Sequence, residues 1–208
     1  DLIGRLLLLS FRVTEPPLEP LRTFQPAGFI FFPGNVPSTD TVRRLTSSLQ
    51  QEVSYPLLFA IDQEGGPINS YRDNNATVFP GNMALGAVGD ENLAKAVGQA
   101  TAEELAYLGM NLNFAPSVDV NVNPDNPVIS IRSFGADPSD VARLASAYHE
   151  GLIAGGVAST AKHFPGHGDT NVDSHLALPV IDKTREALDG LELVPFRALV
   201  DAGVPAIM

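Results

Sequence analysis

A chain of 208 residues with 13 Lys plus Arg against 24 Asp plus Glu carries a formal charge of -11. No basic field is present to collect the phosphates of nucleic acid or the headgroups of an anionic membrane, so neither is an expected partner. Apolar residues make up 44% and charged ones 18%, with no Cys at all. This composition excludes an acidic disordered tail, a disulfide scaffold, a thiolate zinc site and cysteine catalysis.

The predicted elements alternate along the chain. Residues 6–12 (LLLLSFR) and 28–32 (GFIFF) are continuous apolar runs that read as strands. The longest early run, Leu6 to Leu9, is far below the roughly 20 residues of a spanning helix. Thr39-Asp40 is placed as the cap of a helix carrying Val42, Leu45 and Leu49. A strand follows at 57–62, then an irregular stretch at 63–90 that includes one glycosylation triplet, Asn75-Ala76-Thr77. Leu93, Val97, Ala100 and Leu105 mark a helix over 91–108 that Gly109 stops. The pattern repeats with a strand at 111–118, irregular chain at 119–137, and a helix at 139–154 ended by Gly155-Gly156. Val141, Leu144, Ala145, Tyr148 and Leu152 form the stripe of that helix. A strand at 157–163, irregular chain at 164–183, a helix over 184–202 and a strand at 204–208 complete the series.

Continuous rather than alternating apolarity suits parallel strands covered on both faces, and each intervening helix returns the chain for the next strand. The GxGxxG turn of a dinucleotide-binding sheet is missing. The expected fold is therefore α/β, a TIM-type (β/α)8 barrel present as about six βα units over residues 1–208. It is read as one domain, incomplete at its C-terminus; a complete six-stranded open sheet is the competing reading. In a parallel barrel the three long irregular stretches, each following a strand, lie on the C-terminal face where active sites are built.

Three segments could carry chemistry. Lys162-His163-Phe164-Pro165-Gly166-His167-Gly168-Asp169-Thr170, continuing to Asp173-Ser174-His175, holds three of the four His residues. Gly and Pro make a zinc helix improbable there. Three readings stay open: a locally bonded polar loop, a metal site from His163, His167, Asp169, Asp173 and His175, or proton transfer by Asp173 and His175. In the last, the carboxylate fixes and charges the imidazole, and a turn at Ser174 brings the two together. Asp62-Gln63-Glu64-Gly65-Gly66 runs off the end of a strand, which puts a carboxylate on the ligand side. Arg132, in Ile131-Arg132-Ser133-Phe134-Gly135, enters a loop rich in Asp and Asn, where its donors suit hydroxyls and carboxylates. It could equally bridge Asp119 or Asp137.

Taken together, DQEGG at 62–66, NLNFAPSVDVNVNPDNPVISIRSFG at 111–135 and KHFPGHGDTNVDSH at 162–175 resemble glycoside hydrolase family 3. The nearest branch is that of the NagZ-type β-N-acetylglucosaminidases, and the likeness covers nearly the whole chain in the right order. The resemblance implies a (β/α)8 barrel and a retaining exo-glycosidase without metal or cofactor. Its substrate would be an amino-sugar oligosaccharide, a muropeptide or chitin fragment with terminal N-acetylglucosamine. It further implies that Asp173 and His175 are the acid/base dyad and that Asp62, Arg132, Lys162 and His163 hold the sugar hydroxyls. Other outcomes the pattern allows are a β-glucosidase of the same family, a metal-dependent hydrolase and a sugar-binding fragment without turnover.

Two departures from the family pattern stand out. The usual Arg-Val after DQEGG is replaced by Pro67-Ile68, with Arg72 further on. The family's nucleophile is an Asp on the seventh strand, whereas Asp182, Asp189 and Asp201 here fall in loop or helical positions. The nucleophile is therefore expected beyond Met208, and residues 1–208 alone are expected to be inactive. A cytoplasmic location is expected, or a secreted one if an N-terminal signal was removed.

Overall fold

The structure, a computed structural model, describes residues 2–12, 14–74, 76–173 and 175–208. Asn75, which heads the glycosylation triplet, and Ser174, where the dyad turn was placed, lie outside the described residues. In chain order the elements are β1 (Leu8–Ser10), α1 (Leu18–Phe24), β2 (Gly28–Phe31), α2 (Thr39–Gln51) and β3 (Leu58–Ile61). A hairpin of β4 (Gln63–Gly65) and β5 (Ile68–Asn69) precedes α3 (Asn82–Val88), α4 (Glu91–Tyr107) and β6 (Leu112–Asn113). Then come α5 (Pro138–Ala154), β7 (Thr160–Ala161), α6 (Arg185–Gly190), α7 (Leu193–Asp201) and β8 (Ala206–Ile207).

Six of these strands are parallel neighbours in the order in which the chain makes them. β1, β2, β3 and β6 form one ladder, with Leu8 opposite Gly28, Gly28 opposite Leu58, and Ala60 opposite Leu112. β6 continues to β7 through a bridge between Leu112 and Ala158, and the Asn113 N–H donates to the Ala158 carbonyl at 2.8 Å. β7 pairs with β8, Thr160 opposite Ala206. A doubly wound open sheet reverses its strand order at a switch point. No reversal occurs here, and the arrangement is that of an arc of a (β/α)8 barrel.

The core begins with the apolar runs themselves. Phe11, Phe29, Phe31 and Phe59 meet edge to face, with centroids 5.8 Å apart for Phe11–Phe29, 5.1 Å for Phe11–Phe31 and 6.0 Å for Phe31–Phe59. Each such pair contributes about 0.5–1.5 kcal/mol beyond its buried area. Val42, Leu45 and Leu49 are buried on α2, and the α5 stripe from Val141 to Leu152 is buried as its spacing predicts.

Four expectations need correction. The cap of α2 is Ser38, whose hydroxyl accepts the Thr41 N–H, and not Thr39-Asp40. On α4 the buried stripe is Ala94, Val97, Gly98, Thr101, Ala102 and Leu105, while Leu93 is exposed. The reason is close helix approach: a Cβ on Gly98 would meet the Tyr148 carbonyl, and one on Gly151 the Lys95 carbonyl. Small residues of α4, Gly98 among them, therefore lie where α5 comes closest. The stretch 63–90 is not irregular throughout, since it contains the β4–β5 hairpin and α3. The helix predicted over 184–202 is two helices, because the chain turns at Leu191 and Glu192 and buries the Glu192 side chain. Among the described residues, no helix is long and apolar enough to cross a membrane.

Candidate active site

Two buried amides fix the chain where β3 ends. The Asn113 side chain bonds both the N–H and the carbonyl of Gln63, at 3.0 and 2.9 Å. The Gln63 amide in turn bonds the N–H and carbonyl of Tyr71, at 3.1 and 3.3 Å. The hairpin is thereby locked, and Asp62 and Glu64, on either side of Gln63, both reach one cation. Lys162, directly after β7, sets its Nζ 2.6 Å from Asp62 Oδ1 and 2.6 Å from Glu64 Oε1.

Glu64 also receives Arg132 through a two-pronged pair, Nε to Oε2 at 3.0 Å and Nη2 to Oε1 at 2.8 Å. Arg132 stands on a single 3-10 turn, Ser130–Arg132. Its Nη1 donates to the Val128 carbonyl at 3.2 Å, and its Nη2 lies 3.0 Å from His163 Nε2. This corrects the expected bridge to Asp119 or Asp137. Asp137 is spent as the N-cap of α5, where it accepts the N–H groups of Ser139 and Asp140. Asp119 is fully buried and bonds His163 Nδ1 at 2.6 Å.

The Asp173–His175 pair forms within the loop that follows β7. Asp173 Oδ1 accepts the His175 backbone N–H at 2.9 Å and lies 2.7 Å from His175 Nδ1. Both bonds hold the Asp173 carboxyl below its ordinary value. The His175 side chain is 83% exposed. All six residues singled out in the sequence thus enter one neighbourhood: Asp62, Arg132, Lys162, His163 and His175 line a cavity of about 450 Å³, and Asp173 holds His175 at its rim. Arg72 and Pro67, the departures from the family pattern, line it too, the guanidinium curling back onto the Pro67 and Asn69 carbonyls. Larger space elsewhere, about 920 Å³ between α2 and α4, lacks this convergence.

Glu64 and Asp119 were passed over as site residues in the sequence. The signal for Glu64 was its position two residues after Asp62; nothing local distinguished Asp119 from the other acids of its loop. Among the described residues, no group of three or more His, Asp or Glu side chains is placed to hold a metal ion. The Nδ1 atoms of His163, His167 and His175 are bonded to Asp119, Thr170 and Asp173.

Burial alone would raise the Glu64 carboxyl, but the Arg132 hydrogen bonds and the charges of Lys162 and Arg132 outweigh it and hold it below its ordinary value. Burial opposes ionisation of Asp119 as well, and His163 with the His167 amide reverses that effect. A carboxyl lowered in the folded state contributes stability that is complete above its unfolded value and is lost as pH falls through the folded one. The melting temperature is therefore expected to fall as pH drops below about 4. Glu64→Gln should flatten this dependence while lowering Tm near neutrality. Thermal melts across acid pH check it; the same acid slope in wild type and variant would show that Glu64 carries none of it.

Known proteins match along the whole chain. Residues 1–208 fit the sequence profile of the glycosyl hydrolase family 3 N terminal domain. A β-hexosaminidase A of Pseudoalteromonas piscicida is 40% identical over 236 residues, covering 100% of this chain and 39% of that protein. A β-N-acetylglucosaminidase of glycoside hydrolase family 3 from a Paenibacillus species superposes with a TM-score of 0.96 at 45% identity, over 99% of this chain and 40% of its own. NagZ from Neisseria gonorrhoeae, solved with N-trifluoroacetyl-D-glucosamine, gives 0.92 at 32% identity over 97% of this chain and 62% of its own. The chain thus spans 39% to 62% of the length of these relatives.

Proposed function

The chain belongs to glycosyl hydrolase family 3, and on that premise we propose that the protein is a retaining, exo-acting β-N-acetylglucosaminidase. Its substrate would be an amino-sugar oligosaccharide of muropeptide or chitin type, cleaved at terminal N-acetylglucosamine without a cofactor. The observation that carries this reading is the Asp173–His175 pair at the rim of the cavity that Asp62, Lys162, Arg132 and His163 line. Residues 1–208 would supply the first six strands of a single barrel domain.

Asp173 takes the Nδ1 side of His175, so Nε2 is left to protonate the leaving glycosidic oxygen and then to activate water. Asp62 keeps 28% of its side chain exposed and accepts from sugar hydroxyls, held in place by the nearly buried Lys162. Arg132 commits most of its donors to Glu64, Val128 and His163, which leaves one Nη1 hydrogen for the sugar. Retention needs a second carboxylate as nucleophile. Among the described residues the carboxylates lining the cavity, Asp62 and Glu64, are both ion-paired. Retention would therefore need a carboxylate other than these two as its nucleophile.

Full-length protein should release the phenol from an aryl β-N-acetylglucosaminide, with NMR showing the β-anomer first. A folded protein without turnover, or an inverted first product, defeats the reading; sugar binding by calorimetry without turnover would instead mark a binding module. Preference for the aryl β-glucoside would move the specificity to glucose. Asp62→Asn is expected to raise KM by about 10-fold or more, the worth of a charged hydrogen bond, with a smaller change in kcat. Kinetics within twofold of wild type would remove Asp62 from the sugar site.

A further inference from the structure

Asp119 lies below the cavity and belongs to none of the groups that face it. Its carboxylate is fully buried and accepts four bonds. Oδ1 takes the backbone N–H groups of His163 and His167, at 3.3 and 2.6 Å. Oδ2 takes the Ser117 hydroxyl at 2.8 Å and faces His163 Nδ1 at 2.6 Å. One side chain therefore holds the His163–His167 turn by both ends, and it reaches the imidazole on the side away from Arg132.

We propose that Asp119 is a positioning residue that sets the tautomer of His163 and, through that ring, the direction of the Arg132 guanidinium. A carboxylate has no proton to give, so the hydrogen between it and the ring sits on His163 Nδ1. Nε2 is then a lone pair, and it accepts from Arg132 Nη2 at 3.0 Å. With the opposite tautomer two N–H groups would point at each other, and the guanidinium would have to turn away. The order of control runs from Asp119 to His163 to Arg132, and Glu64 steadies the far edge of the guanidinium.

Asp119→Asn separates this role from packing. The two backbone N–H groups at Oδ1 can only donate, so the amide oxygen must stay there and the NH2 group takes the place of Oδ2. His163 must then accept at Nδ1 and carry its proton on Nε2, against Arg132. The 15N spectrum of histidine-labelled full-length protein reads this directly. The expected result is Nδ1–H for His163 in wild type and in Ser117→Ala, and Nε2–H in Asp119→Asn. The kinetic arm rests on the sugar-site reading above: kcat/KM for an aryl β-N-acetylglucosaminide should fall about 10- to 100-fold, mostly through KM. Nε2–H in wild type, or Nδ1–H retained in a folded Asp119→Asn protein, overturns the proposal. If Asp119→Asn does not fold, the wild-type spectrum decides alone. If wild type shows no turnover, the glycosidase reading fails while the tautomer still decides the role of Asp119.

Discussion

Replacing His175 by Ala in the full-length protein is expected to lower kcat for an aryl β-N-acetylglucosaminide by about 10²- to 10⁴-fold, the usual worth of a placed general acid/base. KM should change far less, because the ring acts on the leaving oxygen and not on the hydroxyls held by Asp62. The side chain is 83% exposed, so the loss should come without a change in Tm. The effect should also depend on the leaving group. A phenol that is already acidic needs little proton donation, so the loss should shrink as the leaving-group pKa falls. Asp173→Asn is expected to act in the same direction, because the amide oxygen can still accept from the backbone N–H and Nδ1 of His175 but lacks the charge that raises the basicity of the ring. Kinetics of both variants over a series of aryl leaving groups check this. A His175→Ala protein with kcat near wild type, or a loss that does not vary with the leaving group, would remove His175 from acid catalysis.

Lys162→Met carries the largest expected cost in stability. The ammonium is 3% exposed and sits 2.6 Å from both Asp62 and Glu64, and Glu64 is itself 2% exposed. Removing one member of a buried, hydrogen-bonded ion network costs about 3–5 kcal/mol, because the remaining charges stay desolvated. For a domain of this size each kcal/mol shifts Tm by about 2–4 °C. A fall of roughly 6–20 °C follows from those two figures. The exposed pair of Lys95 and Glu150 is the control: with side chains 48% and 56% exposed, Lys95→Met should cost less than about 1 kcal/mol. Thermal melts of the two variants side by side provide the comparison. Equal shifts would mean that the cavity network is solvated and contributes no more than a surface pair.

Read alone, the sequence determined the six parallel strands and the chemistry-bearing segments, but not the β4–β5 hairpin. Six short apolar runs without alternation point to parallel strands covered on both faces. β6 and β7 are fully buried, whereas β1 and β8 each keep an exposed residue, and the order of the six follows the chain. The glycine- and proline-rich loop from Lys162 to His175 and the DQEGG turn were legible as polar chain at strand ends, where a barrel keeps its ligands. Tertiary structure alone decided what faces what. The inner side of α4 is drawn by Gly98 meeting α5, a packing fact that hydrophobic spacing reports wrongly as Leu93. The helix predicted over 184–202 breaks because Glu192 turns inward to Lys183, which also pairs with Asp169. Arg132 finds Glu64 and not the nearer Asp119 or Asp137, since parallel strands bring the ends of distant segments together while Asp137 caps a helix. Side-chain type and local pattern are properties of a segment and can be read from it. Pairing between charges depends on which ends the fold places side by side, and on which acids are already held by backbone N–H groups.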